Sequence, residues 1–195
     1  MSRSERVSLW LQSRADSRRG LIAMFVWAFA EAFVWPIIPD ASLALLVAAR
    51  PRRWLALAAA AVAGTVTGGV AGVLAGAADI TWSLPLTTPR MHAAAQGWLA
   101  TGAGGLAHQP LSGIPYKVFV AAAPDAAINP WAFATATLQY RAPRLLIVAA
   151  VTAPLAALGW RFLPASRQPV VHVTVTAIGT LALFAGLAAV VSRWS

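Results

Sequence analysis

Long apolar runs separated by short arginine clusters constrain the fold of this chain more than any other feature. The runs cover residues 21–49, 54–78, 98–138, 145–160 and 170–191, and a helix needs about 20 apolar residues to cross a bilayer. Charged residues make up 11% of the chain, whereas soluble domains carry about 25%. The sequence therefore predicts an all-α integral membrane protein, a helical bundle without a separate soluble domain.

The first run contains residues that a straight membrane-spanning helix tolerates poorly. The stretch EAFVWPIIPD holds Glu31, Pro36, Pro39 and Asp40. An interior proline costs about 3 kcal/mol, and a carboxylate at mid-membrane costs about 2.5–3.5 kcal/mol. A continuous helix would also direct the two acids to opposite faces. We therefore interpret residues 21–49 as a re-entrant hairpin, broken at the prolines, whose tip turns both acids toward an interior polar site.

Two arginine clusters favour the same hairpin. Five arginines precede residue 20, and three more lie in RPRR at residues 50–53. Basic segments favour the cytoplasmic side of a membrane, and both clusters lie there if the first run enters and returns. We expect a cytoplasmic N-terminus. Residues 1–30 also resemble a secretory signal with AFA at its cleavage site, but the apolar character continues to residue 49.

A glycine stripe marks residues 54–78 as a spanning helix. Glycine recurs at every fourth position, at Gly64, Gly68, Gly72 and Gly76, and such a stripe lets another helix approach closely. We interpret these glycines as packing residues, with substrate contact as the alternative. The span leaves residues 79–98 outside, where their prolines and tryptophans are typical of an interfacial segment.

A second interrupted region follows at residues 98–124. Pro110, Gly113 and Pro115 break the apolar run, and Lys117 lies in its flank. The same reasoning predicts a second re-entrant hairpin that enters from the opposite side and carries Tyr116 and Lys117 at its tip. The alternative is a lysine that extends to the membrane interface.

The remaining runs complete the predicted topology. Residues 127–140 return the chain to the cytoplasm, Arg141 and Arg144 lie in a cytoplasmic turn, and residues 145–160 and 170–191 cross out and back. Arg90, Arg161 and Arg167 then lie outside. The fold is two opposed re-entrant hairpins plus about four spanning helices. It divides into a basic cytoplasmic segment (residues 1–20), a membrane domain (21–160), and a loop with a C-terminal transmembrane helix (161–195).

Several function classes lack support in the sequence. Cysteine is absent, and His92, His108 and His172 lack ligand-like spacing, so we expect no metal or other cofactor. The basic residues cluster between apolar runs rather than along one polar face, which disfavours nucleic acid as a partner. No arrangement of a nucleophile with a nearby base stands out, so we do not expect an enzyme.

The order of these motifs resembles the DedA family of membrane proteins, also called VTT-domain or SNARE-associated Golgi-type proteins, and its small YqaA-like branch. The resemblance covers residues 20–160 and consists of FAEAFVWPIIPD, RPRR, GTVTGGVAGVLAG, GIPYKVFVAAA and a following arginine pair. It implies two re-entrant hairpins that meet from opposite sides of a bacterial inner membrane. It also implies movement of lipid phosphates, as a flippase or scramblase for undecaprenyl phosphate or phospholipid.

The resemblance also implies roles for individual residues. Glu31 and Asp40 match the family's functional acids, Lys117 matches a basic residue of the second hairpin, and Arg141 or Arg144 match the later ones. Cationic side chains would bind the phosphate, and the acids would exchange protons and couple lipid movement to a proton gradient. The expected partners are membrane lipids, protons and a second copy of the chain.

Two alternatives to transport remain open. In the first alternative, Glu31 pairs with Lys117 or Arg141 only to hold the two hairpins together. In the second, the protein is a non-transporting membrane scaffold that uses the glycine stripe as its interface.

Overall fold

The structure, a computed structural model, describes residues 18–33, 39–162, 174, 181, 185, 186 and 188–195. Helix is the only regular secondary structure within these ranges, which confirms the all-helical fold. Two helices, Pro51–Ala77 and Pro130–Phe162, are long and apolar enough to cross a membrane, each with a mean hydropathy of 1.8. The fold is thus compatible with a helical membrane protein.

The predicted first hairpin corresponds to α1 (Arg18–Glu31) and α2 (Pro39–Ala49). A 3-10 turn at Pro51–Arg53 leads into α3 (Trp54–Ala77). Gly64 faces the backbone oxygen of Phe25, and Gly68 faces that of Phe29. Because the later residue of α3 faces the later residue of α1, the two helices run in the same direction at close range.

The helices α7 (Pro130–Tyr140) and α8 (Ala142–Phe162) form one continuous apolar run. Arg141 joins them with φ −104° and ψ −37°, in the right-handed helical region. Its amide donates to the carbonyl oxygen of Thr137 at 2.9 Å. The predicted cytoplasmic turn at residues 141–144 is therefore wrong. Arg141 and Arg144 each pair with an acid. This pairing offsets the cost of removing a charged side chain from water, which favoured a surface position for both arginines.

This combined helix runs antiparallel to α3. The ring of Phe133, near its start, lies against Gly69. Leu145 and Ala153, further along, pack in one core cluster with Leu57, near the start of α3. Residues late in the combined helix thus lie beside residues early in α3.

Helix α2 runs parallel to α8 and therefore opposite to α1. Asp40 pairs with Arg144 near the start of α2. The indole nitrogen of Trp160 donates to the carbonyl oxygen of Ala48 near its end, at 2.8 Å. Arg161 consequently lies at the same end of the bundle as the RPRR turn. The predicted position of Arg161 on the opposite side is wrong, because that position depended on the turn at residues 141–144.

Helix α4 (Pro89–Leu99) lies mainly in residues 79–98, the segment predicted to lie outside. The predicted second hairpin, residues 98–124, contains a 3-10 segment (Ala103–His108), α5 (Gln109–Ser112) and α6 (Tyr116–Ala122). Helix α6 runs parallel to α3, since Tyr116 lies against Gly69 and Val120 against Gly72. It therefore returns toward the Ala77 end of α3.

The last eight residues lie against Thr88 and against Ser112 of the predicted second hairpin. Residues 188–194 are helical, and the carbonyl oxygen of Trp194 accepts a hydrogen bond from the Thr88 hydroxyl at 2.9 Å. The Trp194 indole donates to the carbonyl oxygen of Ser112 at 3.2 Å. Arg167 and most of the predicted C-terminal helix lie outside the described residues.

Two apolar clusters form the core. One contains residues of α3, α4, α6 and α7, and the other contains residues of α1, α2, α3 and α8. Ala28 belongs to the second cluster and Ala32 to the first, so Glu31 lies at the boundary between them. Arg141 lies at the same boundary, between Ala136 of the first cluster and Leu145 of the second.

Candidate functional site

A buried ion pair lies at this boundary. Arg141 Nη2 donates to Glu31 Oε2 at 2.6 Å, and the two side chains are 6% and 3% exposed. An acid of the first predicted hairpin thus contacts the middle of the α7–α8 helix. Of the two pairings considered for Glu31 from the sequence, the one with Arg141 is present.

A second ion pair lies one helical turn further along. Arg144 Nε donates to Asp40 Oδ1 at 2.7 Å, and the Arg144 side chain is 39% exposed. Arg144 Nη1 also donates to the carbonyl oxygen of Pro110, at 3.3 Å. Residues three apart on a helix share a face. The two arginines therefore present adjacent guanidinium groups, one buried and one accessible.

The described residues that were predicted to break the two hairpins lie at the ends of helices. Pro39 is the first residue of α2, and Pro36 lies outside the described residues. Gly113 has φ 76°, a left-handed conformation that glycine adopts without strain. Pro115 then precedes α6 with φ −58° and ψ 142°. The turn at Gly113 and Pro115 directs Tyr116 into the bundle.

Tyr116, the first residue of α6, contacts the buried pair. Its ring lies under the Arg141 guanidinium, 4.2 Å from Cζ to the ring centroid. Its hydroxyl contacts Thr137 Oγ1 at 2.9 Å and the carbonyl oxygen of Thr65 at 3.4 Å. Thr137 was missed by sequence reasoning. The available signal is its position four residues before Arg141, on the same helix face.

Lys117 is buried but contacts a different element. Its residue exposure is 1%, and Nζ donates to the carbonyl oxygen of Pro85 at 2.6 Å. Trp82, in the same connecting segment, packs on Phe33 with ring centroids 5.3 Å apart. Residues 78–88 thus contact both predicted hairpins. The alternative that Lys117 extends to an interface is disfavoured, because its ammonium group is enclosed by protein.

The glycine stripe divides between two neighbours. Gly64 and Gly68 face α1, whereas Gly72 and Gly76 face Val120 and Pro124. A Cβ atom at Gly68 would lie 2.7 Å from the backbone oxygen of Phe29, closer than real contacts allow. These glycines therefore pack within their own chain.

Three buried polar atoms near the site lack a hydrogen-bond partner in the described part of the chain. They are Arg141 Nε, Gln109 Oε1 and Thr65 Oγ1. Such atoms are costly to bury. Gln109 was also missed by sequence reasoning, although its place beside Pro110 at the second break is a usable signal. The site thus retains hydrogen-bonding capacity that its ion pairs leave unused.

The histidines form no common site. No group of three or more potential metal ligands occurs among the described residues. His92 contacts Thr87 at 3.1 Å, and His108 stacks on Trp98 with ring centroids 4.7 Å apart. Partial burial lowers the pKa of His92. His172 lies outside the described residues.

No protein-family model, curated protein or solved structure matches this chain. Two arginines on one helix face meet two carboxylates within an apolar bundle, whereas the Lys117 ammonium group contacts the carbonyl oxygen of Pro85. This arrangement suits an anion that enters by exchange with a carboxylate.

Proposed function

We propose that this chain is a DedA-type protein of the bacterial inner membrane that moves phosphate-headgroup lipids between leaflets. The observation that carries the proposal is the pair of adjacent arginines, Arg141 and Arg144, each bound to an acid of the first hairpin. Undecaprenyl phosphate and phospholipids both present a phosphate to such a site. Arginine binds phosphate through parallel hydrogen bonds, as it binds a carboxylate.

Helix directions support re-entrant hairpins within a multi-pass topology. The described part of α1 ends at Glu31, and α2 runs in the opposite direction from Pro39. The opposite directions of these two arms would return the chain to the side it came from.

Proton coupling follows from the exchange step. A proton on Asp40 removes the negative charge that holds Arg144, and a lipid phosphate then takes the place of the carboxylate. Loss of that proton on the other side favours re-formation of the ion pair and release of the lipid. Arg144 suits the first contact because its side chain is partly exposed, whereas Arg141 is enclosed.

A second candidate is a purely structural role for the ion pairs in a protein that does not transport lipid. The short, buried contact between Arg141 and Glu31 favours it, because each charge already has a partner. The glycine stripe does not support this scaffold candidate as an interface, since the same chain covers it.

Proteoliposomes test the proposed transport. Purified protein is reconstituted with fluorescent polyprenyl phosphate or phospholipid, and transbilayer movement is followed with and without a pH gradient. We expect movement above empty vesicles, lost in Asp40→Asn and reduced in Lys117→Ala. Folded protein that moves none of several phosphate lipids would favour the structural candidate.

A further inference from the structure

The strap, residues 78–88, connects α3 to α4 and contacts both predicted hairpins beside the buried ion pair. Trp82 packs on Phe33, just past the end of α1, with ring centroids 5.3 Å apart. The carbonyl oxygen of Pro85 accepts a hydrogen bond from Lys117 Nζ, in the first turn of α6, at 2.6 Å. The strap therefore covers the bundle where α1 ends and α6 begins.

The strap and Arg144 lie on opposite sides of Arg141 along the bundle. The strap follows Ala77, the last residue of α3. Arg144 lies one helical turn after Arg141, in the direction of Phe162, and that part of α8 packs beside the start of α3. The Arg144 side chain is 39% exposed and the Arg141 side chain 6%. A phosphate that enters at Arg144 and passes Arg141 therefore meets the strap on its way out.

The strap holds a costly backbone conformation next to its contact with Lys117. Leu86, directly after Pro85, has φ 59°, in the left-handed region that disfavours residues with a bulky side chain. Such a conformation persists only where the surrounding contacts impose it. At the end of the strap, the Thr88 hydroxyl donates to the carbonyl oxygen of Trp194 at 2.9 Å. Loss of the Lys117 contact should therefore release the centre of the strap while its Thr88 end stays attached.

The contact between Lys117 and the strap can be exchanged for a contact with an anion. The Nζ atom donates to a neutral carbonyl oxygen of the strap, and the lysine charge also interacts with Glu31. An ammonium group binds an ionised phosphate more strongly than it binds a neutral acceptor. Because Glu31 binds Arg141, a phosphate that reaches Arg141 also comes close to Lys117. A bound phosphate therefore competes with Pro85 for the same ammonium group.

We propose that Lys117 is a latch that opens the strap when a lipid phosphate reaches the site. Without phosphate, Lys117 holds Pro85, and the strap closes the site on the side of Ala77. With phosphate, Lys117 turns to the new anion, the Pro85 contact breaks, and the strap moves away from Phe33. Lys117 thus couples occupancy of the site to the opening of its second side. This inference rests on the proposed function, because the ligand is a lipid phosphate that passes through the protein.

Strap movement is measured by double electron–electron resonance on the full chain in detergent. The absence of cysteine allows spin labels at Ser83→Cys in the strap and at Arg52→Cys before the start of α3, both at exposed positions. Lys117→Met removes the latch, and Lys117→Arg keeps a cationic donor. Gln96→Leu is the matched control, because it removes an exposed hydrogen bond with Asp125 and leaves the strap contacts unchanged.

We expect the wild type without lipid to give one distance between the two labels. Lys117→Met should add a longer distance, Lys117→Arg should restore the single distance, and Gln96→Leu should not change it. A melting temperature close to that of the wild type establishes that each variant is folded. A single, unchanged distance in folded Lys117→Met would overturn the proposal.

The protein with Lys117 intact tests the response to phosphate without any substitution in the site. Phosphatidic acid should add the longer distance, whereas diacylglycerol with the same acyl chains should not. An unchanged distance at saturating phosphatidic acid would overturn the proposal. A longer distance with inorganic phosphate alone at the same concentration would also overturn it, because the latch would then respond to a free anion.

Lipid movement in proteoliposomes separates the latch from the proposed function. A short thiol cross-linker joins Phe33→Cys to Trp82→Cys and fixes the strap, and the pair Gln96→Cys/Asp125→Cys is the cross-linked control. We expect movement of phosphatidic acid to fall to the level of empty vesicles only when the strap is fixed. Wild-type movement with a fixed strap would overturn the latch and leave the transport proposal intact. A strap that opens with phosphatidic acid in a protein that moves no lipid would support the latch and contradict the proposed function.

Discussion

Arg141 and Glu31 form a buried ion pair between residues 110 positions apart in the sequence, with 2.6 Å between Nη2 and Oε2. The pair joins the end of α1 to the middle of the α7–α8 helix, at the boundary of the two core clusters. Desolvation of two charges cancels much of their attraction, so such a pair adds little net stability. Removal of one partner is costly, however, because the other charge then remains buried alone.

The first prediction concerns the loss of stability when one partner of the buried pair is removed. Glu31→Gln should lower the free energy of unfolding in detergent by about 3–5 kcal/mol. The double variant Glu31→Gln/Arg141→Gln should lose less than the sum of the two single variants. Asp40→Asn is the matched comparison, and its partly exposed pair should be worth about 0–1 kcal/mol. Equal losses for Glu31→Gln and Asp40→Asn would show that burial does not distinguish the two pairs.

The second prediction concerns the ring beneath Arg141. Tyr116→Phe keeps the ring and loses the hydroxyl contact with Thr137, at a cost of about 1 kcal/mol. Tyr116→Leu also loses the cation–π contact, and should cost about 1–2 kcal/mol more. Unfolding free energies check both values. The additional loss in Tyr116→Leu should disappear when Arg141 is replaced by Gln, and its persistence would mean that the ring acts through core packing alone.

The third prediction concerns the close packing of α1 on α3. Gly64→Ala places a methyl group against the backbone oxygen of Phe25, which cannot move without shifting α1. We expect a loss of about 1–3 kcal/mol in the free energy of unfolding. Gly159→Ala is the control, because no atom lies within 4 Å of the added carbon. Alanine there should stabilise the helix by about 0.5–1 kcal/mol, and similar losses in both variants would contradict the packing.

The fourth prediction concerns topology, and the absence of cysteine makes it accessible. Arg52→Cys, Arg161→Cys and Asp79→Cys each introduce a single exposed thiol. In sealed vesicles, an impermeant maleimide should label the first two from the same side and Asp79→Cys from the other. Labelling of Arg52→Cys and Arg161→Cys from opposite sides would restore the turn between residues 140 and 145.

The sequence predicts the helical fold, because apolar runs, glycine and proline act locally. Pro39, Gly113 and Pro115, predicted to break the hairpins, lie at the ends of helices. The sequence does not predict the course of the chain at Arg141. An isolated arginine favours a surface position, and the cost of burying Arg141 is offset by its pairing with Glu31, 110 residues earlier. The same limit applies to Thr137, whose hydroxyl contacts the Tyr116 hydroxyl of α6. The course of the chain at Arg141 is therefore determined by its pairing with a residue distant in the sequence, and the local cost of burying an arginine does not predict it.

The central claim is that Arg144 receives a lipid phosphate in exchange for Asp40, and a charge exchange between the two positions tests it most directly. Asp40→Arg/Arg144→Asp preserves an ion pair at this place while removing the guanidinium from the α7–α8 helix. The account predicts a folded protein with near-wild-type unfolding temperature and lipid movement no faster than in empty vesicles. Wild-type lipid movement in the exchanged variant would contradict it and leave the pair with a structural role only.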